Sequence, residues 1–248
     1  MKIKSKRHFF SLTTTASLSS IISIDATNNN NNQVNTSDFQ KFQGSNPFIQ
    51  SPTGRIQSAA YFQNQVISNA NNNNNIDPDV NFLYGRLVWE LAQDGNRNYT
   101  VDEALSFWKK AVSQSPNYIL YQNAIGFAYY TKGEFKKAYD AWFKVLKLSG
   151  ETLSETEILQ KISTEDITTP EVEQKDALNA YAGIGLVMMK SAQTSQGNEQ
   201  RERWLRALQY RTKVMNEAAR EYHIPQLRQN WLWSRVALRD WDFLMRTE

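Results

Sequence analysis

The sequence predicts an all-α protein in which a disordered front third precedes an array of paired helices. Three observations support this fold class. The aromatic residues are unevenly spread, because all seven Trp lie after residue 79. Two five-residue asparagine runs interrupt the front third. Behind them, apolar residues recur at helical spacing, and small and aromatic residues return at matching places 34 residues apart.

The overall composition argues against an enzyme. Cysteine is absent, which removes thiolate nucleophiles, disulfides and Cys-based metal sites. His8 and His223 are the only histidines, so a His-rich metal site or a Ser-His-Asp triad would be hard to build. The formal net charge of +3 is too small to indicate a nucleic-acid partner. We therefore expect a non-enzymatic protein without a cofactor.

Residues 1–26 predict an export signal or an organellar transit segment. The segment starts with several Lys and Arg residues, has no acidic residue before Asp25, and contains a short, weakly apolar stretch. That stretch falls well short of the roughly 20 apolar residues of a membrane-spanning helix. Such a leader would place the protein in an exported or organelle-lumenal compartment, the periplasm or the thylakoid lumen, near a membrane. The alternative is a disordered basic tail on a cytoplasmic protein.

Residues 27–76 predict a disordered linker. They contain both asparagine runs, 28–32 and 71–75, with Gln, Ser and Gly between them. Such polar sequence cannot bury enough apolar surface to offset about 1–2 kcal/mol of backbone entropy for each ordered residue.

Helix-start signals open the folded region, residues 77–248. Asp77 stands before Pro78 as an N-cap before a proline at the first helical position. Thr100 with Glu103 forms a capping box that starts a second helix. A short extra helix is predicted after a further capping box of Ser154 and Glu157.

A 34-residue offset aligns two second helices of this region. It places Ala104 on Ala138 and Trp108 on Trp142. This period and these residues resemble the tetratricopeptide repeat, a family of stacked helix-turn-helix units. The resemblance covers about residues 79–225 and implies roughly three helix pairs.

Residues 119–152 match the repeat best. Gly126 and Ala138 are expected to let the two helices approach, while Tyr129 and Trp142 fill the space around the contact. In the unit before, Ala92 takes the close-contact place, and in the unit after, Gly185 does.

A C-terminal helix is predicted to cap the stack. One of its faces would carry five apolar residues: Leu227, Trp231, Leu238, Trp241 and Met245. Trp233 lies off this stripe, either as a second contact or as an exposed anchor.

The resemblance implies a concave groove lined by the first helix of each unit. Carried over to this sequence, the groove residues are Arg86, Trp89, Gln93, Asn123, Phe127, Tyr130, Asn179, Ala182, Leu186 and Met189. An extended or helical peptide with apolar side chains would suit them. The alternative is that Trp89, Phe127 and Met189 are core residues.

These features lead to the expectation of a scaffold or assembly factor that binds a protein or peptide partner. Fold analogy suggests a subunit of a membrane complex as that partner. The alternative is a helical-repeat RNA-binding protein, although nucleic acid is the less favoured partner. It would use a basic helix carrying Arg201, Arg203, Arg206, Arg211, Lys213 and Arg220, whose charges could equally form a solvated face.

Overall fold

Helices are the only regular elements in the part of the chain that the structure describes, which confirms the predicted all-α class. This computed structural model describes residues 55, 56, 58–64, 77–150 and 175–247. The predicted leader, most of the predicted linker and the helix expected after Ser154 lie outside these residues. In chain order the helices are α1 Pro78–Gln93, α2 Val101–Gln114, α3 Ile119–Thr131, α4 Phe135–Leu148, α5 Lys175–Thr194, α6 Gly197–Ala218, α7 Ile224–Leu227 and α8 Arg235–Arg246.

Local capping explains where several helices begin. The Asp77 side chain accepts a hydrogen bond of 2.8 Å from the backbone N–H of Asp79 at the start of α1. Thr100 accepts one of 3.1 Å from the N–H of Glu103 at the start of α2. These bonds satisfy backbone donors that have no partner inside the helix, so the two predicted starts are confirmed.

The helices pack as three pairs, α1 with α2, α3 with α4, and α5 with α6. Contacts of α2 with α3 and of α4 with α5 join one pair to the next. Successive pairs therefore form an array in which each pair contacts its neighbour, as the fold prediction required.

Glycine–tryptophan contacts set the distance between the paired helices. A Cβ atom on Gly126 would lie 2.5 Å from Nε1 of Trp142, and one on Gly85 would lie 2.6 Å from Cδ1 of Trp108. The predicted role of Gly126 is confirmed. In the first pair, however, Gly85 makes the close contact and the half-buried Ala92 does not, so that assignment was wrong. Residues 94–100 connect α1 to α2, whereas only residues 132–134 connect α3 to α4. The 34-residue offset therefore aligns the second helices of the two pairs but not the first helices.

Trp142 also links two pairs. A Cβ atom on Gly183 of α5 would collide with its six-membered ring, so the fully buried indole lies between glycines of α3 and α5. One tryptophan therefore fixes both the packing within the second pair and its contact with the third.

A short helical segment from the predicted linker joins the same core. Residues 58–64 are helical, and Ala59 and Phe62 are buried in the apolar cluster formed by the array. Arg55 lies 3.4 Å from the carboxylate of Glu90 in α1. The linker prediction does not hold for this segment, because its few apolar residues are concentrated where they can reach the array.

The predicted C-terminal helix is present only over Arg235–Arg246, as α8, whereas Leu227 lies in α7 and Trp231 lies between the two helices. The α8 helix packs against α5, α6 and α3. It therefore covers the last pair and also reaches back to the second. Trp233 is buried and lies 5.7 Å from Trp241, centroid to centroid. Trp233 is thus a second internal contact and not an exposed anchor.

Candidate partner-binding site

The groove face is the side of α1, α3 and α5 that carries the predicted groove residues. Arg86 and Gln93 are partly exposed. The others are buried: Trp89, Asn123, Phe127, Tyr130, Asn179, Ala182, Leu186 and Met189. These buried side chains do not line an open groove, which corrects the expectation from the resemblance. The structure instead places Trp89, Phe127 and Met189 in the core.

The chain's own C-terminal segment, residues 222–247, covers the groove face. At α1, the indole Nε1 of Trp89 donates a hydrogen bond of 2.7 Å to the backbone carbonyl of Trp231. The guanidinium of Arg86 lies 4.7 Å from the ring centroid of Trp231. Gln93 accepts a hydrogen bond of 3.3 Å from the backbone N–H of Arg235. The predicted groove residues of α1 therefore bind an intramolecular partner.

The same segment contacts α3 and α5 through aromatic rings. Trp233 packs against Phe127 with ring centroids 5.1 Å apart. The side-chain oxygen of Asn179 accepts hydrogen bonds of 3.1 Å from both the indole of Trp233 and the hydroxyl of Tyr222. Burial raises the pKa of Tyr222 well above its ordinary value, so its hydroxyl remains a donor.

A buried carboxylate holds α8 onto the groove face. Asp240 accepts a hydrogen bond of 2.9 Å from the Tyr130 hydroxyl and lies 3.0 Å from the ammonium of Lys190. Arg239 contacts its other oxygen at 3.2 Å. Burial, and then the charge of Asp240, raise the pKa of Tyr130, which keeps that hydroxyl protonated. These partners satisfy the buried carboxylate in the docked position of α8, and removing one of them would leave its charge incompletely paired.

Asn123 has a separate role. Its amide nitrogen donates to the backbone carbonyl of Asp176 at 2.9 Å and contacts the Asp176 carboxylate at 3.3 Å. This pair joins α3 to the start of α5. Burial raises the pKa of Asp176, and the hydrogen bond from Asn123 opposes that shift. Asn123 therefore connects two helices of the array.

The spacing of two tryptophans near the C-terminus is a sequence signal for this closed groove. Trp231 and Trp233 are two residues apart, a spacing that cannot place both on one face of a helix. In the structure they lie between α7 and α8, where Trp231 contacts α1 and Trp233 contacts α3.

A pocket lies among the described residues at the end of the array. This terminal pocket has a volume of about 420 Å³. It is lined by Ala192, Gln193, Gly197, Gln200, Arg201, Trp204 and Phe243. The Phe243 side chain is 50% exposed and that of nearby Leu205 in α6 is 51% exposed.

The basic helix of the RNA-binding alternative is α6, and several of its cations are used within the chain. Arg203 contacts Ser191 and Glu199. Arg211 donates to the backbone carbonyls of Leu244 at 3.0 Å and Thr247 at 2.5 Å. Lys213 is buried beside Glu217 at 2.6 Å. These contacts reduce the positive surface that α6 offers to a polyanion.

Three further findings concern metal-binding groups, membrane-spanning helices and similarity to known proteins. Across residues 55–64, 77–150 and 175–247, no group of three or more His, Asp or Glu side chains could hold a metal ion. None of the helices in that part of the chain is long and apolar enough to cross a membrane. Comparison with protein-family models, with curated protein sequences and with solved structures finds no significant match.

Proposed function

We propose that this protein is a non-enzymatic scaffold that binds another protein through its array of helix pairs. The observation that best supports this is the stack of helix pairs, whose groove face already holds an aromatic segment of the chain itself by tilted ring contacts and by hydrogen bonds to its backbone. Such contacts are those by which helical arrays hold peptides. The tetratricopeptide resemblance is part of this proposal and supplies the analogy for the binding mode.

Energetics decides which surface the intact chain offers to a partner. Opening the groove would expose the buried side chains of Trp233, Trp241 and Leu244. At about 1.5–3 kcal/mol for each large apolar side chain, this costs at least roughly 5–9 kcal/mol. That range is comparable with the whole stability of a typical domain, about 5–15 kcal/mol. A partner therefore binds the outer surface while the C-terminal segment stays in place.

The proposed partner class is a protein, and a subunit of a membrane complex is the specific candidate. The basic leader and the fold analogy support this candidate, together with an exported or lumenal location. Several cations of α6 already contact other groups of the chain, which makes RNA the weaker alternative. We therefore do not propose RNA binding as the function.

Crosslinking in the native cell tests the proposal. The full-length protein carries an affinity tag at its C-terminus, is crosslinked in intact cells, and is purified at native salt for mass spectrometry of its N-terminus and co-purifying chains. The expected result is a protein partner that is recovered reproducibly and crosslinks to residues 77–247. This partner should be absent from a tag-only control.

Two other outcomes would contradict the proposal. One is that no protein is enriched over the control. The other is that RNA co-purifies and is lost steeply as salt is raised, because release of counterions from phosphates produces that dependence. The second outcome would support the RNA-binding alternative instead.

A further inference from the structure

The terminal pocket combines aromatic side chains with an exposed cation. Building on the scaffold function, we propose that it binds a peptide segment of the partner that carries one bulky apolar side chain with a carboxylate close to it in sequence. The pocket offers an aromatic floor for the apolar side chain and a guanidinium for the carboxylate.

The floor of the terminal pocket is aromatic and preformed. Trp204 of α6 and Phe243 of α8 meet edge to face, with centroids 6.2 Å apart and planes at 72°. Ala192 at the end of α5 is buried beneath them. This edge-to-face pair leaves half of the Phe243 side chain exposed to solvent. An inserted Leu, Phe or Trp side chain would bury that surface, at about 25 cal/mol per Å².

Leu205 is a further exposed apolar side chain of α6. Leu205 lies four residues after Arg201 on α6, so the two side chains share one helix face. Leu205 and Phe243 are two of the five large apolar side chains exposed among the described residues.

Charge complementarity specifies the second feature of the partner. Arg201 lines the pocket, is exposed, and forms no ion pair with a described residue. Its neighbours differ, because Arg203 pairs with Glu199 and Arg246 pairs with Asp242 at 2.8 Å. Within the described part of the chain, the Arg201 guanidinium therefore has no ion-pair partner, and such a group binds a carboxylate through two parallel hydrogen bonds.

The remaining rim residues suit a peptide backbone. The side-chain amides of Gln193 and Gln200 can each donate and accept hydrogen bonds. Glu202 is exposed next to Arg201 in sequence, but adjacent residues on a helix do not face each other. The rim thus combines amides for the backbone of a bound segment with one cation for its acid.

Selection from a displayed library of random heptapeptides on the full-length protein tests this proposal. We expect enrichment of sequences with Leu, Phe or Trp and an Asp or Glu within two residues of it. The best peptide, labelled with fluorescein, is then titrated by anisotropy. Arg201→Glu and Phe243→Ala should each weaken its binding by about tenfold or more.

Arg220→Glu is the matched control. Arg220 is also exposed, and its replacement by Glu changes the charge by the same amount. It follows the C-terminal end of α6, whereas the pocket lies at the N-terminal end of that helix. It should leave the dissociation constant unchanged, and circular dichroism should show the same helix content in all variants. Selection without a consensus, or a peptide that binds equally to Arg201→Glu and Phe243→Ala, would overturn the proposal.

Two further outcomes separate this proposal from the others. Self-association that depends on concentration and disappears in Phe243→Asp would show that the pocket binds a second copy and would also overturn it. If in-cell crosslinking recovers the same partner with Arg201→Glu and Phe243→Asp, the scaffold function stands and the pocket proposal fails. Failure to recover any partner, even with the unaltered chain, would instead contradict the scaffold function.

Discussion

Replacing Trp233 by alanine tests whether the C-terminal segment is embedded in the array. The indole is buried, packs 5.1 Å from Phe127 and 5.7 Å from Trp241, and donates to Asn179. Truncation of a buried Trp to Ala costs about 3–5 kcal/mol through lost burial and the cavity that remains. The lost hydrogen bond adds about 0.5–1.5 kcal/mol, although Asn179 keeps its bond from Tyr222.

Urea unfolding followed by circular dichroism measures this change. We expect the free energy of unfolding to fall by about 3.5–6.5 kcal/mol, and the melting temperature by roughly 7–26 °C for a domain of this size. Hydrogen exchange should become faster across residues 222–247. Phe243→Ala is the control in the same segment, because half of that side chain is already exposed and its loss costs only about 1 kcal/mol.

A small effect would refute the reasoning. If Trp233→Ala destabilises the protein no more than Phe243→Ala does, the segment leaves the groove at little cost. The groove residues would then be accessible to a partner, and the argument that assigns binding to the outer surface would fail.

Two further predictions concern the array. Gly126→Leu should lower the free energy of unfolding by about 1–3 kcal/mol, because the new side chain collides with Trp142. In a urea titration, the double variant with Trp142→Leu should recover part of this loss. Additive losses in the two single variants would contradict the contact between the two residues. Burial raises the pKa of Asp176 in the folded state, so the stability that this group contributes is fully present below its unfolded pKa and falls as the pH rises towards its folded value. Asp176→Asn keeps an acceptor for Asn123 and should therefore raise the urea midpoint at pH 7 more than at pH 4, whereas an equal or opposite change would contradict the assigned burial.

Local features of the sequence predicted the helix starts and the best helix pair. A cap such as Asp77 or Thr100 acts on backbone groups two or three residues away, so its effect is readable from spacing alone. The contact between Gly126 and Trp142 spans one short turn, which leaves few alternative registers. In the first pair the turn between the helices is longer and irregular, and the alignment selected Ala92 where the structure uses Gly85.

By itself, the sequence determined the all-α class, the paired helices and the absence of cysteine chemistry, because these depend on composition and short-range periodicity. Only the tertiary structure decided that the chain's own C-terminal segment occupies the groove face. That segment and α1 are far apart in the chain, and a stripe of apolar residues such as Trp231 and Trp241 indicates burial without naming the surface that buries it. The bonds from Trp89 to Trp231 and from Tyr130 to Asp240 select this surface, since buried polar groups must find partners in three dimensions.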